Sequence, residues 1–283
     1  NELSRSVDAI YHSAAFVNHM LNYDSMKVHN VHGTLSMIEF AGNIQAKPIH
    51  FISSSAVCFQ MNGDSLLSVH QFETPIDGGN ALVNGYAQTK WVSEHHLLQA
   101  QAKGIAITIF RCGEITGSSQ TGYGIAEDLF HNYLKIFSNA GVVPQWDGGV
   151  IDIVPVDYVC GAIVAVSRQS DCYGKIYHLT HPNPIPVRDF FEYLAKVNPS
   201  WSKVSFEEWA DRCLQYITTL PDSSARIILS PYFAKNGADR RMFEHYFQDP
   251  GLKNDHLQRA LQNTDITFPK INEVWWEKFM RQI

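Results

Sequence analysis

Short apolar runs alternate with amphipathic stretches through the first two-thirds of this chain. Val7-Asp8-Ala9-Ile10-Tyr11-His12 and Pro48-Ile49-His50-Phe51-Ile52-Ser53 read as buried strands. So does Ile105 to Arg111, which is rich in β-branched residues. Between them, Asp24 to Ala41 reads as a helix with Met26, Val31, Leu35 and Ile38 roughly on one face. Tyr86 to Lys103 reads as a second helix, with Gly104 as its stop. Ala126 to Asn139 reads as a third. An apolar strand followed by an amphipathic helix has to bury both faces of its sheet. The pattern therefore predicts an α/β fold: a doubly wound parallel sheet with helices on both sides.

Composition shifts near Ile151. Ile151 to Val159 is again strand-like and leads into a small-residue helix, Cys160 to Ser167. After about Pro182 the pattern is mostly helical, over Asp189–Lys196, Phe206–Ile217 and Asp222–Ile228, with many aromatics. The expected division is a catalytic sheet part over 1–181, crossing toward a substrate side from about 151. Residues 182–283 would form a smaller helical part that caps it. No internal repeat or low-complexity tract breaks this pattern.

Bulk properties exclude several classes. The 283 residues are 45% hydrophobic and 18% charged, which is globular rather than disordered composition. A net charge of −6 without a Lys/Arg run argues against nucleic acid or an anionic membrane as the main partner. Five scattered cysteines without a C-x-x-C suit a reducing, cytoplasmic setting. The longest apolar stretches are too short to span a bilayer. Thirteen histidines include the close pairs His29/His32 and His95/His96, yet no third ligand falls at a metal-binding spacing. No metal is expected.

The strongest chemical signal is Gly85-Tyr86-Ala87-Gln88-Thr89-Lys90. Tyr and Lys at i and i+4 share one helix face. A phenol titrating near ~10 is a poor acid or base at neutral pH. A neighbouring ammonium stabilises the phenolate and brings it into range. Upstream, Phe51-Ile52-Ser53-Ser54-Ser55-Ala56-Val57 puts hydroxyls at the end of a strand, where open α/β sheets bind ligands. A serine there can donate to a carbonyl that is gaining negative charge. Downstream, Phe110-Arg111-Cys112-Gly113-Glu114-Ile115-Thr116-Gly117 ends another strand in a loop suited to close backbone approach.

In this order the segments resemble the extended short-chain dehydrogenases/reductases. Tyr11-His12-Ser13-Ala14-Ala15 is similar to the family's strand beside the cofactor. Asn30-Val31-His32-Gly33-Thr34 resembles its Asn-x-x-Gly-Thr, and Val154 to Val159 resembles a later substrate-side segment. Within the family, YHSAAFVNH (Tyr11–His19), GYAQTKWVSE (Gly85–Glu94), IFRCGEITGSSQTG (Ile109–Gly122) and Phe206-Glu207-Glu208-Trp209 look like the thioester reductase branch. That branch comprises the terminal reductases of nonribosomal peptide and polyketide synthetases and of carboxylic acid reductases. The resemblance implies a Rossmann-like fold and roles for particular residues. Tyr86 would be the proton donor and Lys90 its partner and a ribose ligand. Ser54 would polarise the carbonyl, with Ser55 as its competitor, and Asn30 would hold a helix and a relay water. Ala14, Ala15, Ser53, Cys112, Gly113 and Ile115 would line the cofactor site with Tyr86 and Lys90. Cys112 departs from the family's usual proline. NADP(H) rather than NAD(H) is implied as cofactor. The implied partner is an acyl carrier protein bearing a phosphopantetheine thioester.

One family element has no counterpart. None of the 18 glycines forms the strand–G-x-x-G-x-x-G turn that seats a dinucleotide pyrophosphate on a helix N-terminus. The first strand read here resembles the family's fourth. The chain is accordingly expected to be a piece whose cofactor-gripping part lies upstream of Asn1. Two rival readings are a sugar-nucleotide epimerase or other dehydrogenase of the same superfamily, and a degenerate scaffolding module.

Overall fold

The computed structural model describes residues 2–62, 65–125, 128–221, 224–235, 241, 243–244 and 250–282. Four parallel strands form the main sheet: β1 (Ile10–His12), β2 (Ile49–Ser54), β3 (Ile107–Cys112) and β4 (Lys175–Leu179), side by side in that order. Ile10 pairs with Ile49, Phe51 with Ile109 and Phe110 with Tyr177. Every residue of β3 is buried, as a central strand covered on both faces must be. The doubly wound parallel α/β architecture expected from the alternation is the architecture found.

Helices α1 (Tyr23–Gly42) and α2 (Gly85–Ala102) pack against one another beside β1 and β2. Each begins at an asparagine whose side chain accepts a backbone N–H of the first turn, Asn22 from Ser25 and Asn84 from Ala87. Gly85 lets α2 start against the chain at 21–23. A Cβ there would lie 2.4 Å from the Leu21 carbonyl oxygen and from the Asn22 carbonyl carbon. Gly104, at φ +98°, follows α2 and bonds back to the Gln101 carbonyl, in keeping with the predicted stop.

Three boundaries differ from expectation. β1 begins at Ile10 rather than Val7, because Leu3–Ser6 makes a helical turn that Val7 closes by bonding the Leu3 carbonyl. The third predicted helix is α3 (Leu129–Ala140), capped by Asp128; its expected start, Ala126, lies outside the described residues. Helix α4 runs Val156–Ser167, one turn earlier than its small-residue stretch suggested. Pro155 ends the preceding strand, and Asp157 in the first turn suits the positive end of the helix.

Beyond the sheet come α5 (Val187–Val197), α6 (Phe206–Thr219), α7 (Ser224–Phe233), α8 (Asp255–Leu261) and α9 (Glu273–Met280). The expected start of α7, Asp222, lies outside the described residues. An aromatic core unites α3, α5, α6 and α9 around Trp209, Phe137 and Phe190. A second core lies under β3, β4, α4 and α8. The chain thus enters the helical layer at α3, returns to the sheet at α4 and β4, and returns again at α8.

Candidate active site

The carboxyl ends of β2 and β3 open onto a cavity of about 270 Å³. Its lining includes Ser54, Ser55 and Ala56 after β2, Gly113 and Glu114 after β3, and Tyr232 and Leu252 from the helical side. Open α/β sheets hold ligands at this end.

Tyr86 and Lys90 sit on the face of α2 turned toward β2, and both are buried. Burial pushes the Tyr86 pKa up to about 12, and the nearby Ser54 side chain opposes that rise. Tyr86 is therefore protonated at neutral pH and is set to donate. The Lys90 ammonium donates to the Ile52 carbonyl at 2.5 Å and stands 4.1 Å from the Phe51 ring centroid. Burial lowers the Lys90 pKa to about 8. Ser54 accepts from Ala56 N at 3.2 Å, which starts the turn Ser55–Cys58. Ser55 lines the same cavity.

Asn30 does not reach the cavity. Its amide brackets Phe16, accepting from the backbone N–H at 2.7 Å and donating to the carbonyl at 3.0 Å. It also donates to Thr89 at 2.9 Å. Asn30 thereby ties the segment after β1, which carries Ala14 and Ala15, to the helix of Tyr86 and Lys90. His12 bonds Thr34 at 3.0 Å, and burial followed by the Lys90 charge lowers its pKa to about 4, so it stays neutral.

Ser53 faces away from the cavity. It donates to Glu94 at 2.6 Å, and Glu94 pairs with Arg111 at 2.8 Å. Arg111 also bonds the Thr74 carbonyl at 3.1 Å and His178 at 3.3 Å. Burial and the Arg111 charge lower the His178 pKa to about 3, so its neutral ring accepts from Arg111 and donates to the Lys253 carbonyl at 2.8 Å. No sequence spacing announces this network, whose members Ser53, Thr74, Glu94, Arg111, His178 and Lys253 lie on six separated segments. Cys112 is buried, and burial pushes its thiol up to about 12, so it is no nucleophile. Among the described residues no group of three His, Cys, Asp or Glu is placed to hold a metal.

For a dinucleotide, the residues fit the nicotinamide–ribose half. The backbone of Gly113 lines the cavity, and the buried Lys90 ammonium and Tyr86 phenol both interact with the adjacent Cys112. The pyrophosphate half has no glycine-rich turn in this sequence. Residues 1–163 match the NAD-binding family described as Male sterility protein. The chain belongs to that family. As a member of the male sterility protein family it carries an NAD-binding domain, and its likeness extends past the matched residues. It is 28% identical over 98% of its length to a linear gramicidin synthase of Brevibacillus parabrevis, of which it spans 5%. It is 30% identical over 99% of its length to the non-canonical nonribosomal peptide synthetase FrzA of Cladobotryum sp, of which it spans 28%. The crystal structure of the terminal R domain from the myxalamid PKS-NRPS biosynthetic pathway superposes with a TM-score of 0.84 at 28% identity. That match covers 99% of this chain and 69% of the other. Homology to terminal reductase domains and the extended short-chain dehydrogenase architecture agree with the resemblance read from the sequence. No described helix is long and apolar enough to cross a membrane.

Proposed function

We propose that this chain reduces an acyl thioester carried on the phosphopantetheine arm of a carrier protein, with NADPH as hydride donor, and releases an aldehyde. The observation that carries this reading is the approach of Ser54, which lines the cavity, to the buried, protonated phenol of Tyr86. Two hydroxyls meeting at one point suit a single oxygen that gains negative charge. The terminal reductase relatives support a thioester as the source of that oxygen.

Ala14, Ala15, Cys112, Gly113 and Ile115 would border the nicotinamide, and Lys90 would hold its ribose. A bound nicotinamide supplies hydride to the carbonyl carbon. Ser54 and Tyr86 orient the thioester oxygen and donate to it, and Tyr86 delivers its proton as the carbon becomes tetrahedral. Lys90 lowers the cost of the phenolate left behind. The hemithioacetal then loses its thiol to give the aldehyde. Asn30 acts indirectly, by fixing the 13–16 segment against Thr89. Ser53 acts through Glu94 rather than by touching the cofactor. Residues 182–283 would supply the acyl side of the cavity through Tyr232 and Leu252.

The test is product analysis. The protein, given NADPH and an acyl-pantetheine thioester, should release free thiol and aldehyde in equal amounts as NADPH is consumed. Thiol release without NADPH consumption, or no turnover of the thioester at all, would overturn the proposal.

A further inference from the structure

The cavity has a wall that hydride transfer does not use. Glu114 opens the short strand Glu114–Thr116, directly after Gly113, and lines the cavity together with Ser54. Its carboxyl group has no hydrogen bond or ion pair among the described residues. The other acids nearby do have partners. Asp152 accepts the backbone N–H of His181 at 2.6 Å, and Asp128 accepts that of His131 at 2.6 Å. We propose that Glu114 is a specificity-determining residue that binds the α-ammonium group of an aminoacyl thioester; this rests on the thioester reading above.

The charge balance of the lining points to a cation. Among the described lining residues Glu114 and Asp152 are the acids, and none is a lysine or arginine. His19 is its basic residue, and burial lowers the pKa of that ring, so it does not neutralise the wall. The groups facing Glu114 make matters worse for an anion. Asp128 repels it, and the Tyr86 and Tyr232 phenols both feel its charge. Burial first, and then Asp128, push the Glu114 pKa up to about 7. An ammonium group seated beside it would offset both effects.

The reach is right. An α-ammonium stands two bonds from the carbonyl carbon of an aminoacyl thioester. Glu114 shares the cavity with Ser54, the hydroxyl that would polarise the carbonyl, and its charge is felt at the Tyr86 phenol. An ionic hydrogen bond to the amine would fix rotation about the bond between the carbonyl and α carbons. That presents one face of the carbonyl to the nicotinamide side.

The test uses two non-reducible probes: the pantetheine amide of an α-amino acid and its desamino counterpart. Binding is measured by calorimetry at pH 7 on the whole protein. The amine probe should bind roughly 10–100-fold more tightly, as a hydrogen bond to a charged group allows. Glu114→Gln should bind both probes alike, with its affinity for the desamino probe unchanged. Equal affinities in the unaltered protein, persistence of the preference in Glu114→Gln, or no binding of the amine probe would each overturn the proposal. Should Glu114→Gln not fold, carboxyl NMR of the unaltered protein decides. The Glu114 titration should move below about 7 with the amine probe, and an unmoved titration overturns the assignment. The probes are amides and are not reduced, so a preference for the amine stands or falls apart from thioester turnover.

Discussion

Arg111 and Glu94 form an ion pair, 2.8 Å from Nη2 to Oε2, with both side chains almost wholly shielded from solvent. Arg111 comes from β3 and Glu94 from α2, one turn beyond Lys90 and two beyond Tyr86. The pair therefore fixes the rotation of the helix face that carries the phenol. Ser53 joins it from β2, next to Ser54. Removing one partner strands the other as a buried charge. Glu94→Ala is expected to lower the unfolding free energy by about 3–5 kcal/mol in denaturant titration.

Lys90→Met separates stability from chemistry. Burial lowers the Lys90 pKa from 10.5 to about 8. Between those values the unfolded chain binds more protons, so stability rises as pH climbs from about 8 to 10.5. Below about 8 the burden is fully present and corresponds to roughly 3 kcal/mol. The bond to Ile52 and the contact with Phe51 recover part of it. Lys90→Met is expected to be more stable at pH 7 by about 1–3 kcal/mol, to lose the rise in stability above pH 8, and to turn over at least 100-fold more slowly. Thermal unfolding across pH 6–10.5, together with NADPH consumption, checks all three.

Two glycines should respond in opposite ways to alanine. At Gly85 a Cβ would strike backbone atoms of Leu21 and Asn22, which cannot step aside. Gly85→Ala is expected to cost about 1–3 kcal/mol and to displace the start of α2, hence Tyr86. Gly33 lies within α1 with nothing within 4 Å of a Cβ. Gly33→Ala should stabilise by about 0.5–1 kcal/mol without loss of turnover. Paired chemical denaturation curves decide this.

The sheet and its helices could be read from the sequence because local pattern carries them. β3 is apolar throughout much of its length, and α2 is bounded by Asn84 and Gly104. Tyr86 and Lys90 could be read because one helical turn brings them together. What could not be read depends on contacts across long stretches of chain. Ser53 and Ser54 are neighbours in sequence, yet strand alternation sends one to Glu94 and the other to the cavity. The ties from Asn30 to Phe16 and Thr89 span 14 and 59 positions. Glu114 lay inside a motif recognised for its glycines. Its one local signal was a carboxylate in an otherwise uncharged loop, and only the cavity gives that carboxylate meaning.

The central claim is that the Tyr86 phenol supplies the proton during thioester reduction. Its most direct test is the single-turnover rate of aldehyde formation by Tyr86→Phe with NADPH and saturating acyl-pantetheine thioester. The rate is expected to fall by about 100- to 10,000-fold while thioester binding is retained. A Tyr86→Phe rate equal to that of the unaltered protein would contradict the account.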